Sequence, residues 1–284
     1  MAAFASIPAN ASVVGITGSP GVGKSTTTSA LINYHRRAGR SVAVLACDPS
    51  SPFSGGALLG DRVRMQEHFL DSGVYIRSMS SRGHLGGLSA STPQAARLLD
   101  AAGFDIVIIE TVGVGQSEVE VAAAADTTLV LLAPGMGDGI QAVKAGILEV
   151  GDIFVVNKAD RDGAHETVRE LRHALSLAAD VRARPAEPDE WVPPILLTVA
   201  STGQGIAEVA EAVNSHAQWL VSTEPGRQRK ARRAEAELEA VLLAELRARA
   251  GAFRSDPEFR RLAAEVAEGR RDAYSAAEVL VSRL

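Results

Sequence analysis

A glycine-rich segment at residues 18–25 holds the first side chains whose types and spacing could do chemistry. It reads Gly-Ser-Pro-Gly-Val-Gly-Lys-Ser and lies between an apolar run at 12–17 and a helix-compatible stretch at 26–38. In such a loop, backbone N–H groups point at phosphate oxygens, Lys24 reaches the β and γ phosphates, and the Ser25 hydroxyl ligates Mg²⁺. The amino end of the next helix also favours anions, so the pattern predicts a triphosphate site. Its predicted residues are Gly18, Ser19, Pro20, Gly21, Val22, Gly23, Lys24, Ser25 and Thr26.

A second motif indicates which base accompanies the phosphates. The apolar run at 153–156 leads directly into Asn157-Lys158-Ala159-Asp160, an N-K-x-D sequence. A carboxylate at the Asp160 position can accept hydrogen bonds from the N1 and N2 donors of guanine, a pair that adenine does not present. The aliphatic stem of Lys158 can lie along the base. The motif therefore predicts GTP as the bound nucleotide, with GDP as the product.

The end of the last predicted strand completes the predicted base site. It reads Thr198-Val199-Ala200-Ser201, where a Ser-Ala pair would ordinarily offer a backbone N–H to the guanine O6. Val199 replaces the serine, which removes side-chain support but leaves the Ala200 backbone donor. The predicted base-binding residues are Asn157, Lys158, Asp160, Val199, Ala200 and Ser201.

Three carboxylates follow predicted strands and could hold the cation that a triphosphate requires. They are Asp48, Asp61 and Glu110. Carboxylates near a triphosphate would repel it unless a hard cation lay between them, and Mg²⁺ prefers such oxygens. We expect these residues and Ser25 to form a magnesium site, although Asp61 alone could equally be a helix N-cap. Glu110 opens Glu110-Thr111-Val112-Gly113, in which the Gly113 N–H would contact the γ-phosphate.

Hydrolysis of GTP requires a positioned water and neutralisation of charge on the transferred phosphoryl group. The residue after Gly113 is Val114, and the nearest glutamine is Gln116, so we expect slow turnover by the isolated protein. A mobile segment at 134–144, with three glycines in five residues, could bring in the missing group. It ends at Lys144, one of only four lysines in the chain. Lys144 could otherwise be a surface lysine on a helix at 139–149.

The elements that must position these residues alternate along the chain. Continuous apolar runs predict buried parallel strands at 13–17, 42–46, 74–77, 106–109, 128–133, 153–156 and 195–199. Helices are predicted at 26–38, 61–70, 92–102, 139–149, 164–178 and 206–220. This order predicts an α/β fold with a doubly wound, mainly parallel sheet, in which ligands bind beyond the carboxyl ends of the strands. We predict this domain at 1–222 and a helical arm at 223–284, broken near Pro257 and Gly269.

Composition limits the partners that the chain can have. The chain has 284 residues, and its 46% hydrophobic content is ample for a buried core. Its net charge of −5 argues against nucleic acid as the main partner. With one cysteine, no signal or transit peptide pattern and no membrane-length apolar run, a cytoplasmic location is expected. The basic cluster at 227–233 is followed by glutamates and indicates a solvated helix face. Apolar residues at helical spacing in the arm suggest a homodimer contact, or packing back onto the sheet domain.

Taken together, these motifs closely resemble the MeaB/ArgK/MMAA family of P-loop GTPases. The resemblance covers roughly residues 12–222, including the segment 48–62, and extends more loosely through the arm. It implies a GTPase that acts as a chaperone of an adenosylcobalamin-dependent mutase of the methylmalonyl-CoA type, gating cofactor delivery and protecting the enzyme. An adenosyltransferase is a further candidate partner. The resemblance also implies that Asp48, Asp61 and Glu110 belong to the Mg²⁺ and switch regions.

The same resemblance implies that Gln141 and Lys144 lie in an additional switch loop, which moves toward the nucleotide when the mutase binds and speeds hydrolysis. The predicted catalytic residues are Lys24, Gln116, Gln141 and Lys144. The chain departs from the family in two places. Only some eleven residues precede the first strand, where members usually have a helical extension, and the switch loop lacks a glutamate beside Gln141.

Two alternatives stay open at this point. A metal-insertion GTPase of the nickel or cobalt type would need a cysteine or histidine cluster, and Cys47 and the six histidines show no metal-ligand spacing. A transport-system kinase would share the phosphate loop but would need a substrate-positioning signature, which we do not find.

Overall fold

The computed structural model describes residues 10–48, 65–80, 91–111, 117–135, 148–181, 189–253 and 256–282. The chain divides into two compact units, Met1–Ala231 and Arg232–Leu284. The first contains the sheet and the second contains most of the predicted arm. The division between Ala231 and Arg232 lies nine residues after the predicted domain boundary between 222 and 223. The predicted domain boundary stays a prediction.

A parallel sheet of seven strands forms the centre of the first unit. The strands are β1 (Ser12–Gly18), β2 (Val42–Asp48), β3 (Val74–Ser80), β4 (Ile106–Thr111), β5 (Thr127–Leu132), β6 (Ile153–Asn157) and β7 (Ile195–Thr198). Their order is β3-β2-β4-β1-β5-β6-β7, and each neighbouring pair is parallel. The chain thus winds outward in both directions from β1. The predicted doubly wound α/β fold is confirmed.

Helices cover both faces of the sheet, which explains why the strands are apolar throughout. The described helices up to Ser222 are α1 (Lys24–Arg37), α2 (Thr92–Ala101), α3 (Ser117–Ala124), α4 (Leu148–Val150), α5 (Ala164–Val181) and α6 (Ile206–Ser222). On one face, α1 and α6 pack Ile32 and Val209 into a cluster with alternate strand residues. On the other face, α2 and α3 contribute Leu99 and Val121, and α5 contributes Leu171. Burial on both faces is typical of parallel sheets.

The predicted helix at 61–70 is not an α-helix in its described part. Residues 65–70 form a short turn with a 3-10 segment at Gln66–His68. Side chains fasten this turn to α1: Ser29 Oγ lies 2.7 Å from His68 Nε2, and Arg36 makes a bidentate ion pair with Asp71. These tertiary contacts outweigh the local helical pattern.

After Ser222 the described residues form the helices α7 (Glu224–Ala252), α8 (Pro257–Ala267) and α9 (Ala273–Val281). The breaks lie where the sequence predicts them. Asp256 caps α8 by accepting a hydrogen bond from Glu258 N at 2.8 Å, and Asp272 caps α9 through Tyr274 N and Ser275 N. Across the described ranges, none of the helices has the length and apolarity that spanning a membrane requires.

Candidate nucleotide-binding site

The predicted phosphate-binding loop is a tight turn between β1 and α1. Gly18, Gly21 and Gly23 have φ values of 142°, 82° and 99°, which are left-handed conformations that favour glycine. Gly18 also passes close to β5, since a Cβ there would lie 2.3 Å from Leu131 O. The turn ends where α1 begins at Lys24, so all the predicted residues from Gly18 to Thr26 lie in one strand-turn-helix unit.

Lys24 is folded over this turn. Its side chain is buried, and Nζ donates hydrogen bonds to Gly18 O at 2.8 Å and to Ser19 O at 3.2 Å. The loop carbonyls thus hold the ammonium group beside the backbone N–H groups of the turn. A compact cation on a loop of this kind can bind phosphate as a point charge.

Two hydroxyls of α1 bind the carboxylate of Glu110, which lies on β4. Ser25 Oγ donates to Glu110 Oε1 at 2.6 Å, and Thr28 Oγ1 donates to Glu110 Oε2 at 2.7 Å. Glu110 is 3% exposed. The structure therefore brings together Ser25 and Glu110, two of the predicted magnesium-site residues, and it adds Thr28.

These oxygen donors suit Mg²⁺, which takes hard oxygen ligands. No group of three or more His, Cys, Asp or Glu side chains that could hold a metal ion is found in the described ranges. Ser25 and Glu110 are the predicted magnesium-site residues whose side chains the structure describes, and the magnesium assignment stays a prediction.

Asn157 connects the base motif to the phosphate loop. Its Nδ2 donates to Val22 O at 2.8 Å, and its Oδ1 accepts from Thr198 Oγ1 at 3.1 Å and from Ala200 N at 3.0 Å. The Ala200 N–H that we expected to face guanine O6 thus donates to Asn157 in this structure. Gly23 makes the approach possible, because a Cβ there would lie 2.4 Å from Asn157 Nδ2.

Lys158 makes a second connection to the same loop. Its φ of 58° is left-handed, which is uncommon for a residue other than glycine and is found often at functional sites. Nζ donates to Gly21 O at 2.6 Å, and the next residue, Ala159, donates its N–H to Thr198 O. The turn leaves the Asp160 side chain exposed. Asn157 and Lys158 are therefore both held against the phosphate loop, and a contact of Asp160 with a guanine base stays a prediction.

The loop after β7 lies beside Asn157 and is held by its own backbone. Val199 is buried and its N–H donates to Gln204 O at 3.0 Å, whereas Ser201 is exposed. Val199 therefore contributes apolar packing. A contact of Ser201 with a nucleotide stays a prediction.

Several predicted residues cannot be compared with the structure. Asp61, Gly113, Gln116, Gln141 and Lys144 lie outside the described residues. Asp48 ends β2, but its side chain is also outside the description. The roles of these residues in metal binding and hydrolysis stay predictions.

Two side chains that the sequence motifs do not identify contact residues of the candidate site: Thr28 and Thr198. Thr28 lies three residues after Ser25, so helical spacing places both hydroxyls on one face of α1 and could have identified it. Thr198 is the last residue of β7 and donates to Asn157. The motif expectation for this loop concerns the next residue, Val199, and gives no role to Thr198.

A buried histidine lies close to the phosphate-loop helix. His68 is 5% exposed, and burial lowers its pKa. Its Nε2 lies 2.7 Å from Ser29 Oγ, and Ser29 Oγ donates a hydrogen bond to Glu67 Oε1. Ser29 lies one helical turn after Ser25, so this contact fastens the turn at 65–70 next to the candidate magnesium site.

Comparison with known proteins agrees with this geometry. The sequence profile of the family described as "Methylmalonyl Co-A mutase-associated GTPase MeaB" matches residues 1–253. The protein named "Putative GTPase" from Pyrococcus horikoshii is 46% identical over 275 residues, which is 97% of this chain and 85% of that protein. GTPase ArgK of Escherichia coli is 44% identical over 200 residues, which is 70% of this chain and 60% of ArgK.

A solved structure described as LAO/AO transport system kinase has a TM-score of 0.65 and 28% identity to this chain, and the match covers 99% of this chain and 84% of that one. The profile and the relatives agree with the phosphate loop and the N-K-x-D motif. The chain is a GTPase, and it belongs to the family of methylmalonyl-CoA mutase-associated GTPases.

Proposed function

We propose that this GTPase is a chaperone of an adenosylcobalamin-dependent acyl-CoA mutase of the methylmalonyl-CoA type, and that GTP gates cofactor loading and protection of the mutase. The family description, which names association with methylmalonyl-CoA mutase, supports this partner. The main structural support for a nucleotide-dependent switch is a pair of hydrogen bonds. Asn157 and Lys158 donate them to the carbonyl oxygens of Val22 and Gly21. Through them, base binding and phosphate binding share one framework.

In this proposal the first task of the site is to bind the triphosphate. Backbone N–H groups of the turn at 18–25 surround the phosphates, and Lys24 neutralises part of their charge. Ser25 and Glu110, with Asp48 and Asp61 as proposed further members, would hold Mg²⁺. When bound, Mg²⁺ would supply neutralisation of charge between the β and γ phosphates.

The second task is to select guanine. Asp160 accepts hydrogen bonds from the N1 and N2 positions of the base, while Asn157 and Lys158 hold the loop on which Asp160 lies. Asp160→Asn should therefore shift binding from GTP toward xanthosine triphosphate, measured by competition for a fluorescent nucleotide. An unaltered GTP affinity in that variant would overturn the guanine assignment.

The third task, hydrolysis, depends on the partner in this proposal. We assign water positioning and charge neutralisation to Gln116, Gln141 and Lys144, with Gly113 contacting the γ-phosphate. Val114 follows Gly113 where other GTPases place a glutamine, which supports slow turnover by the protein alone. Mutase binding would bring the remaining groups to the nucleotide.

The partner surfaces are part of the same proposal. Exposed apolar side chains on α7 support a homodimer contact through the arm: Leu238, Val241, Leu242, Leu243 and Leu246. An adenosyltransferase would join the complex when the cofactor is delivered. The net charge of −5 supports the absence of a nucleic-acid partner. A cytoplasmic location is part of the same proposal.

The alternatives have less support. Metal insertion would need a ligand cluster for the metal, and the described ranges contain none. A transport-system kinase would need a second substrate site, and no described residue indicates one.

Association with the mutase tests the proposal directly. The protein and methylmalonyl-CoA mutase from the same organism are mixed with GDP, with a non-hydrolysable GTP analogue, or without nucleotide, and complex formation is followed by size-exclusion chromatography. We expect a complex whose stability depends on the nucleotide, and Lys24→Ala should remove that dependence. If no complex forms in any nucleotide state, the chaperone proposal is wrong.

A further inference from the structure

We infer that Thr28 is a positioning residue of the nucleotide site: it fixes the carboxylate of Glu110, which in turn orients the Ser25 hydroxyl toward the nucleotide-bound cation. The inference rests on the proposed magnesium site. It assigns a role to a residue outside the phosphate-loop motif.

The carboxylate of Glu110 accepts hydrogen bonds from two successive turns of α1, through Ser25 and Thr28. Thr28 is fully buried, and its Oγ1 lies 2.7 Å from Glu110 Oε2. Ser25 Oγ lies 2.6 Å from the other carboxylate oxygen, Oε1. Glu110 itself is paired across the sheet, in register with Ile16 of β1 and Ala46 of β2. The backbone of Glu110 is therefore held by the sheet and its carboxylate by the helix.

The chemistry of a hydroxyl explains what this arrangement does. A serine hydroxyl has one proton to donate and two lone pairs to offer. When Ser25 donates its proton to Glu110, its lone pairs remain available to a cation. The last side-chain torsion of a glutamate has a broad range of allowed angles. One hydrogen bond therefore leaves the carboxylate free to rotate, and a second one fixes its orientation. The Thr28 hydroxyl supplies that contact through a charge-assisted hydrogen bond.

The residue before Thr28 provides a matched control. Thr27 is also fully buried on α1, but its Oγ1 has no hydrogen-bond partner among the residues that the structure describes. Thr27→Val and Thr28→Val each replace a buried hydroxyl by a methyl group of similar size. Only Thr28→Val removes a donor to Glu110.

The experiment measures release of N-methylanthraniloyl-GDP by stopped flow, with excess Mg²⁺ and with EDTA. In the unmodified protein Mg²⁺ should slow release. Thr28→Val should reduce the ratio of the EDTA rate to the Mg²⁺ rate by roughly tenfold, as expected for loss of one hydrogen bond to a charged group. Its rate in EDTA should stay close to that of the unmodified protein. Thr28→Ser and Thr27→Val should both keep the original ratio.

Each outcome decides between the assignments. An unchanged ratio in Thr28→Val, or an equal fall in Thr27→Val, overturns the role of Thr28 while leaving the magnesium site intact. If Mg²⁺ does not slow release from the unmodified protein, the proposed magnesium site fails and the inference fails with it. If Thr28→Val does not fold, as judged by circular dichroism, the pair Thr28→Ala and Thr27→Ala is compared in the same way.

Discussion

Asn157 Nδ2 donates a hydrogen bond to the carbonyl oxygen of Val22 at 2.8 Å. This single contact joins the first residue of the N-K-x-D motif to the phosphate loop. Asn157 is 3% exposed and also accepts hydrogen bonds from Thr198 and Ala200. It therefore connects the end of β6 to two segments that the sequence places far away, the phosphate loop and the end of β7.

Replacing Asn157 by alanine should weaken guanine-nucleotide binding strongly. The change removes three hydrogen bonds of about 1 kcal/mol each, which corresponds to roughly a hundredfold loss of affinity. Thr198→Val removes one of the three and should cost roughly tenfold or less. Titration with a fluorescent GDP analogue measures both. Near-normal affinity in Asn157→Ala would show that the phosphate loop does not depend on this residue.

Glycine at position 23 should be required for the contact with Asn157. A Cβ at Gly23 would lie 2.4 Å from Asn157 Nδ2, whereas a Cβ at Gly21 meets nothing within 4 Å. Both positions have positive φ, so both alanine variants carry backbone strain of about 1 kcal/mol. Urea unfolding should therefore show Gly23→Ala to be less stable than Gly21→Ala. Equal stabilities would mean that Asn157 moves aside without cost.

A buried carboxylate at the opposite end of β6 depends on an arginine. Asp152 is 1% exposed, and Oδ2 accepts a hydrogen bond from Thr128 N at 2.8 Å. Arg229, in the first turns of α7, makes an ion pair with Oδ1. His216 Nε2 also lies 3.6 Å from Oδ1, but burial and then Arg229 lower the pKa of His216 to about 3. The ring is therefore neutral near pH 7, and Arg229 carries the positive charge.

Arg229→Met should lower the free energy of unfolding by about 3 kcal/mol, because it leaves the buried charge of Asp152 without this cation. Arg227→Met, on the same helix, is the control: Arg227 pairs with Glu224, and both side chains are more than half exposed. Its loss should cost less than about 1 kcal/mol. Chemical denaturation measures both, and Asp152→Asn should recover part of the loss in Arg229→Met. Equal effects at positions 229 and 227 would contradict this assignment.

His35 should make the protein less stable in mild acid. It is buried on α1, and burial, followed by the charge of Arg40, lowers its pKa to about 4, while Asp105 opposes the shift. Between pH 6.5 and 4 the unfolded chain binds a proton that the folded chain does not. Stability that is fully present above pH 6.5 is therefore lost as the pH falls, by about 2 kcal/mol at pH 5.

The variant His35→Gln separates this effect from that of other groups. It cannot titrate, so its stability should fall less between pH 7 and pH 5 than that of the unmodified protein, by about the same 2 kcal/mol. Urea unfolding at the two pH values provides the comparison. Parallel losses in both proteins would show that His35 becomes protonated without unfolding.

Much of the fold could be predicted because its signals are local. A short apolar run predicts β6, and the spacing of a few glycines predicts the phosphate loop, so neither prediction depends on residues distant in sequence. The turn at 65–70 could not be predicted, since contacts of Ser29 and Arg36 on α1 determine it. The helical pattern of residues 61–70 had less influence there than the contacts of His68 and Asp71 with side chains of α1.

The candidate site divides in the same way. Lys24, Ser25 and Asn157 follow from motifs with a fixed spacing. Outside the site, at the opposite end of β6, the ion pair of Asp152 with Arg229 has no sequence signature, because the two residues are 77 positions apart and meet only in the folded chain. Thr28 is intermediate: its spacing from Ser25 is visible, but its partner Glu110 comes from another element.

GTP turnover in the presence of the mutase tests the central claim most directly. Turnover is measured for the protein alone, with methylmalonyl-CoA mutase from the same organism, and with Ni²⁺ or Co²⁺ instead. The account predicts that the mutase raises the rate by roughly tenfold or more, equivalent to at least about 1.4 kcal/mol of added transition-state stabilisation, and that Lys144→Ala reduces this stimulation. A rate unchanged by the mutase, or raised by Ni²⁺ or Co²⁺ alone, would contradict it.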